Sequence, residues 1–108
     1  MRAKVQKEIW IGLIKVEQSE SGGPLGDADY AYTNVVGIAR SKQIFRRGVK
    51  NYLNELGLKL IRLEAAEPLE QRCQKYTVHR HILKLASSLD TDNPVAFDVF
   101  ATFDGNKT

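Results

Sequence analysis

At 108 residues, with 43% hydrophobic and 27% charged residues, the chain has the size and composition of one globular domain, read as 1–108. A chain of this length buries roughly 65% of its unfolded surface, so the core needs neither disulfides nor a structural metal, and the lone Cys73 excludes an intrachain disulfide. The net charge of +3 and pI near 9.1 are mild, which speaks against a dedicated nucleic-acid binder.

The apolar run Ile9 to Ile14 is too short to span a membrane and no small-residue cleavage site follows it, so neither a membrane anchor nor a signal peptide is expected. The expected location is the cytoplasm. Residues 8–17 read as a strand with Ile9, Ile11 and Leu13 on one face and Trp10, Ile14 and Val16 on the other. A strand apolar on both faces belongs inside a sheet. Residues 18–29, rich in Gly, Ser and Asp, form a loop, and Tyr30–Ala39 reads as a second strand that closes a long-looped hairpin.

Ser41 is placed to cap a helix that runs to about Leu56, with Phe45, Val49, Tyr52, Leu53 and Leu56 on one stripe. Gly57 supplies the stop. Leu58–Ala65 is a third strand whose alternation slips between Leu60 and Ile61, the mark of a bulge. Glu67-Pro68 ends it, and 69–76 fit no single element. A second helix spans Thr77 to Leu89, with Val78, Ile82, Leu85, Ala86 and Leu89 on one face. Val95, Phe97, Val99, Ala101 and Phe103 alternate as a final strand, with Ala96 and Phe100 on its other face.

The expected fold is α+β, in the order β-β-α-β-α-β, with a four-stranded mixed sheet and two helices packed on one face. The expected core includes Phe45, Val49, Leu53, Ile82, Leu85, Phe97 and Val99. Two helices on one face leave the other to be covered by the long loop, by a second copy in a homodimer, or by a partner.

No constellation in the sequence predicts chemistry. Gly22-Gly23-Pro24-Leu25-Gly26 lacks the Gly-Lys-Ser/Thr ending of a phosphate loop and opens no helix. Asp27 and Asp29 begin like a calcium loop but lack the later ligands. His79 and His81, two apart on a helix, would point away from each other and offer no metal site with Cys73. Cys73 reads as a half-buried core thiol, and Asp98 and Asp104 stand about 20 Å apart along a strand. No catalytic residue, cofactor or metal is expected.

Charge is segregated. Residues 17–29 hold Glu17, Glu20, Asp27 and Asp29 and no cation, whereas 40–54 hold Arg40, Lys42, Arg46, Arg47 and Lys50 and no anion. Residues 72–84 are again free of anions and 90–104 of cations. Two patches are therefore candidates for binding a partner: the acidic loop with Glu20, Asp27 and Asp29, and the basic helix with Arg46, Arg47 and Lys50.

The stretches Tyr30-Ala31-Tyr32-Thr33-Asn34-Val35-Val36, Phe45 through Leu53-Asn54-Glu55-Leu56-Gly57, Glu67-Pro68-Leu69, and Val95-Ala96-Phe97 with Phe100 and Phe103 resemble a loose group of short bacterial α+β proteins, some of them immunity proteins of toxin–immunity pairs. The resemblance implies a non-enzymatic protein-binding module that neutralises a cognate toxin, and it carries no catalytic residue onto this chain. Many immunity proteins against nuclease toxins are acidic. This chain is basic, which points to a different toxin class. Two other expectations stand beside it: a nucleic-acid-binding regulator that uses the basic helix faces, and a small ligand-binding domain that uses the uncovered sheet face, lined by Trp10, Tyr30 or Tyr32.

Overall fold

The computed structural model describes residues 7–18 and 23–103. Its elements are β1 (Glu8–Gln18), β2 (Tyr30–Ala39), α1 (Lys42–Glu55), β3 (Leu58–Pro68), α2 (Leu69–Lys75), α3 (Arg80–Ser87), β4 (Val95–Phe97) and β5 (Ala101–Phe103). The α+β class holds. The sheet is antiparallel at every described pairing rather than mixed, in the order β3-β1-β2-β4, with β5 also on β2. Residues 69–76, which the sequence left open, supply the helix α2.

Strand alternation sorts the sheet into two faces. On the front lie Trp10, Gly12, Ile14 and Val16 of β1, opposite Gly37, Val35, Thr33 and Ala31 of β2. Here α1 packs, burying Phe45, Val49 and Leu53 with Ile14, Val16, Val35 and Leu58. On the back lie Ile9, Ile11 and Leu13, opposite Ile38, Val36 and Asn34. There Ile11 and Val36 form a second core with Leu69, Ile82 and Ala86, joined by Val78, Leu85 and Leu89. The expectation of both helices on one face is thus corrected: α1 covers the front, and α2 and α3 share the back. The apolar stripe at 78–89 is as expected, but a stripe does not say which side of a sheet it meets.

Helix α1 starts and stops as its sequence dictates. The Ser41 hydroxyl accepts from the Ile44 amide at 3.2 Å, and Gly57 takes φ +79° beyond the last turn. Glycine is also needed where α1 meets the sheet. A Cβ on Gly37 would stand 2.9 Å from the Phe45 ring and 3.2 Å from the Pro94 carbonyl oxygen. That space lets Phe45 lie on the sheet and stack on Trp10, with ring centroids 6.1 Å apart.

Three irregularities set which residues face which way. Lys15 pairs with Arg62 and Val16 with Leu60, so Ile61 is the extra residue of a bulge, where the alternation slipped. Farther on, Ile11 pairs with Glu67 and Leu13 with Glu64, and the surplus residue falls at Ala65 and Ala66, where Ala65 takes φ 53°. The third breaks the expected final strand. Val35 pairs with Phe97 but Tyr32 with Ala101, so three residues on one strand oppose two on the other. Phe97 and Phe100 therefore both reach the front core, while Val99 is 79% exposed and not core. Leu85 and Phe97 are half-buried.

Leu53→Ala should cost about 2–5 kcal/mol in urea denaturation, since Leu53 is fully buried. Gly37→Ala should cost about 1–3 kcal/mol by forcing Phe45 off the sheet. A loss below about 0.5 kcal/mol for Leu53→Ala, the range of ordinary surface changes, would mean that α1 sits in another register.

Candidate functional site

The described molecule offers three chemically distinct surfaces. The first is the exposed side of α1, with Lys42, Arg46, Arg47 and Lys50 beside Arg40, all exposed. Among the described residues none of these five cations forms an ion pair. Lys42, Arg46 and Lys50 recur at every fourth position, where like charges on a helix repel. No acid occupies the first turn to offset Lys42, which sits at the positive end of the helix dipole. Among the described residues, no ion pair offsets the repulsion within this stripe. The exposed Ile44 adds an apolar contact beside it.

The second surface is the acidic loop. Glu20 lies outside the described residues; Asp27 and Asp29 are exposed. The loop is tethered by Gln18, whose buried side chain accepts from the Leu25 amide at 2.9 Å and donates to the Gly26 carbonyl at 2.8 Å and the Ala28 carbonyl at 3.3 Å. Leu25 is buried in the front core. The described part of the loop, residues 23–29, therefore packs on the α1 side of the sheet through Leu25 and Ala28.

The third surface is the part of the back face beyond α2 and α3. Cross-strand pairing builds it in rows: Glu64, Leu13 and Asn34; then Arg62, Lys15, Tyr32 and Ala101; then Lys59, Glu17 and Tyr30. Arg62 binds Glu64 at 2.5 Å and the Tyr32 hydroxyl at 3.0 Å, and the Lys15 ammonium stands 5.0 Å from the centre of the Tyr30 ring. At the upper edge a cleft of about 480 Å³ opens between Leu13 and Asn34 of the sheet and Glu67, Arg72, Lys75 and Tyr76 of the α2 region. Glu67 bridges Arg72 and Lys75, the latter at 2.6 Å, and hydrogen bonds from Lys75 and then Arg72 hold its carboxyl below the ordinary value despite some burial. Arg72 also donates to the Ala65 carbonyl at 2.6 Å, which fixes the left-handed residue of the bulge.

Of the residues expected to line an uncovered face, Tyr30 and Tyr32 are on this surface, but Trp10 is not. Trp10 lies on the front, donating its indole N–H to the Ala39 carbonyl at 3.1 Å. Phe100 and Ala96, expected to share a face, pack into the front and back cores respectively. Lys15, Arg62, Lys75 and Tyr76 were missed by the sequence reading. Lys15 shares its parity with Ile11 and Leu13, a signal present in the sequence. Arg62 takes the back face only because Ile61 bulges.

The histidines play other roles. His79 is the N-cap of α3, and its Nδ1 accepts from the His81 amide at 3.0 Å. Because His79 precedes the helix, the two rings meet edge to face with centroids 6.3 Å apart instead of pointing away from each other. His81 Nε2 lies 2.7 Å from Asp98 Oδ1, linking α3 to the break between β4 and β5. Asp104 lies outside the described residues. Cys73 is exposed, not half-buried, beside an apolar cleft with Ile9 and Leu69. Among the described residues, no group of three or more His, Cys, Asp or Glu is placed to hold a metal ion, and no helix is long and apolar enough to cross a membrane.

Comparison with protein-family models, with curated proteins and with solved structures returns no match.

Asp98 gives the site a measurable pH signature. Burial pushes its carboxyl up, but hydrogen bonds from the Val99 amide and His81, with further help from the His81 charge and Asn34, leave it below the ordinary value. A carboxyl lowered in the folded state stabilises the fold above the unfolded value of about 3.9, and that contribution is lost as pH falls through the folded value. The melting temperature of Asp98→Asn should therefore fall below that of the wild type near neutrality, and the gap should close on acidification below about pH 4. A gap that stays constant with pH would show that Asp98 acts through packing alone.

Proposed function

We propose that the protein is a non-enzymatic binding module that docks an acidic macromolecular surface through α1. Its most concrete form is an inhibitor that neutralises a cognate bacterial toxin, the function that the resemblance implies. One observation carries the reading: Lys42, Arg46 and Lys50 repeat like charges at helical spacing, with Arg47 and Arg40 beside them and no counter-ion among the described residues. The repulsion costs stability, so the stripe is better explained by a partner than by the fold. An unpaired cationic face raises the encounter rate with an acidic partner, and Ile44 offers an apolar anchor once contact is made. The acidic loop with Asp27 and Asp29 is a second contact of opposite sign, which would orient the partner.

A stability–function trade-off tests this. Arg46→Gln removes the repulsion with both Lys42 and Lys50, so it should stabilise the protein by about 0.4–1 kcal/mol, two pairs at about 0.2–0.5 kcal/mol each. Arg46→Glu with Lys50→Glu should abolish capture of the partner that the wild type retains from nuclease-treated host extract at low salt. Equal capture by both forms would remove α1 from the interface, and loss of the partner on nuclease treatment would favour the regulator that binds nucleic acid through the basic helices.

A further inference from the structure

The open rows of the back face carry chemistry of their own, independent of α1. They and the adjoining cleft bring together five cations, Lys15, Lys59, Arg62, Arg72 and Lys75, against three carboxylates, Glu17, Glu64 and Glu67. Three tyrosines stand among them. Tyr30 and Tyr32 are half-buried on the sheet, and Tyr76 is 64% exposed at the rim of the cleft. Three of the cations, Arg62, Arg72 and Lys75, are held in place by carboxylates yet keep donors to spare. Arg72 spends Nε on Glu67 and Nη2 on the Ala65 carbonyl, and Lys75 spends one contact on Glu67 while 55% of its side chain stays exposed. Arg62 spends Nε on Glu64 and Nη2 on Tyr32 and is likewise about half exposed.

The geometry points to a single-stranded nucleic-acid site on this half-face. Single strands are bound by surfaces that alternate aromatic rings, on which bases stack, with cations that meet the phosphates. The basic helices lack that interleaving; the back face has it. From Leu13 to Glu17 the rows extend about 13 Å, and Tyr76 lengthens the strip at its upper end. That is the scale of a sheet that stacks two or three bases. Tyr76 is the stacking platform. Lys15, which stands over the Tyr30 ring, and Lys75 are the phosphate contacts.

Fluorescence anisotropy with fluorescein-labelled octauridylate and octathymidylate tests the site. The wild type should bind at least one of them, more weakly as salt rises. Tyr76→Ala should weaken binding about tenfold. Lys15→Gln and Lys75→Gln should each lower the slope of log affinity against log salt by about 0.7. Circular dichroism melting checks that each variant stays folded, and Lys84→Gln, on α3, controls for net charge. The proposal is overturned if neither oligonucleotide binds the wild type, if Tyr76→Ala binds as tightly as Lys84→Gln, or if Arg46→Gln with Lys50→Gln abolishes binding that Tyr76→Ala retains. It is equally overturned if uridine monophosphate competes as well as the unlabelled octamer, since the site would then take a lone nucleotide.

Discussion

A central strand that is apolar on both sides must be roofed twice, and β1 imposes this on the whole molecule. Ile14 and Val16 on its front and Ile11 on its back are all buried. Leaving either side to water would forfeit roughly 1.5–3 kcal/mol for each large side chain. The front is closed by α1, which follows β2 directly and returns across the sheet. The back is closed by α2 and α3, which follow β3 and cross over β1 and β2. Those two helices are short, at seven and eight residues, so their cover stops at the row of Ile11 and Val36. The polar rows of Lys15 and Glu17 lie beyond it. The open half-face is thus a consequence of helix length, and its chemistry is set by what the strands place there.

The bulges decide that chemistry. With regular alternation after Leu60, Arg62 and Glu64 would point into the front core and Leu63 into water on the back. The extra residue Ile61 reverses all three, sending Leu63 to the front core and both charges to the back. The second surplus residue, at Ala65 and Ala66, puts Glu67 on the back beside Arg72 and Lys75. A left-handed alanine is costly, of the order of 1–3 kcal/mol, and persists only where surrounding contacts fix it. The hydrogen bond from Arg72 to the Ala65 carbonyl is such a contact. One arginine therefore links the strained edge strand to the cleft above the sheet.

Helix α1 was legible in its bounds and in its buried residues Phe45, Val49 and Leu53, because Ser41, the apolar spacing and Gly57 are local signals, although Leu56, expected on the same stripe, is 43% exposed and Tyr52 only half-buried. So were the two apolar faces of β1, the bulge near Ile61, and the stripe on α3. What could not be read was relative placement. A helix stripe records that a face is buried but not against which side of a sheet, so α1 and α3 looked alike. The break between Phe97 and Ala101 was also hidden, since Val95, Phe97, Val99 and Ala101 alternate without fault. Only the pairing of Asn34 and Thr33 with the Asp98 amide and the Val99 carbonyl turns Val99 outward. The back-face cluster was hardest, because Lys15, Tyr32 and Arg62 are far apart in sequence and meet only through register. Arg46, Arg47 and Lys50, within a span of five residues, were legible as a patch for the opposite reason.

The two cationic surfaces are built on different physics. The α1 stripe is exposed and, among the described residues, without counter-ions, so its field reaches outward until salt screens it over about 8 Å. Such a field accelerates encounter and discriminates by sign, but it fixes no orientation. Three of the five back-face cations are tied to carboxylates, Arg62 to Glu64 and both Arg72 and Lys75 to Glu67, so much of their far field cancels. What remains is short-range: donors at set positions beside tyrosine rings, suited to a ligand already in contact. The sheet separates the two, with the front core under α1 on one side and the open rows on the other. On the proposed functions, a change of charge on α1 would alter how fast a partner arrives, and a change on the rows would alter what is held once it is there.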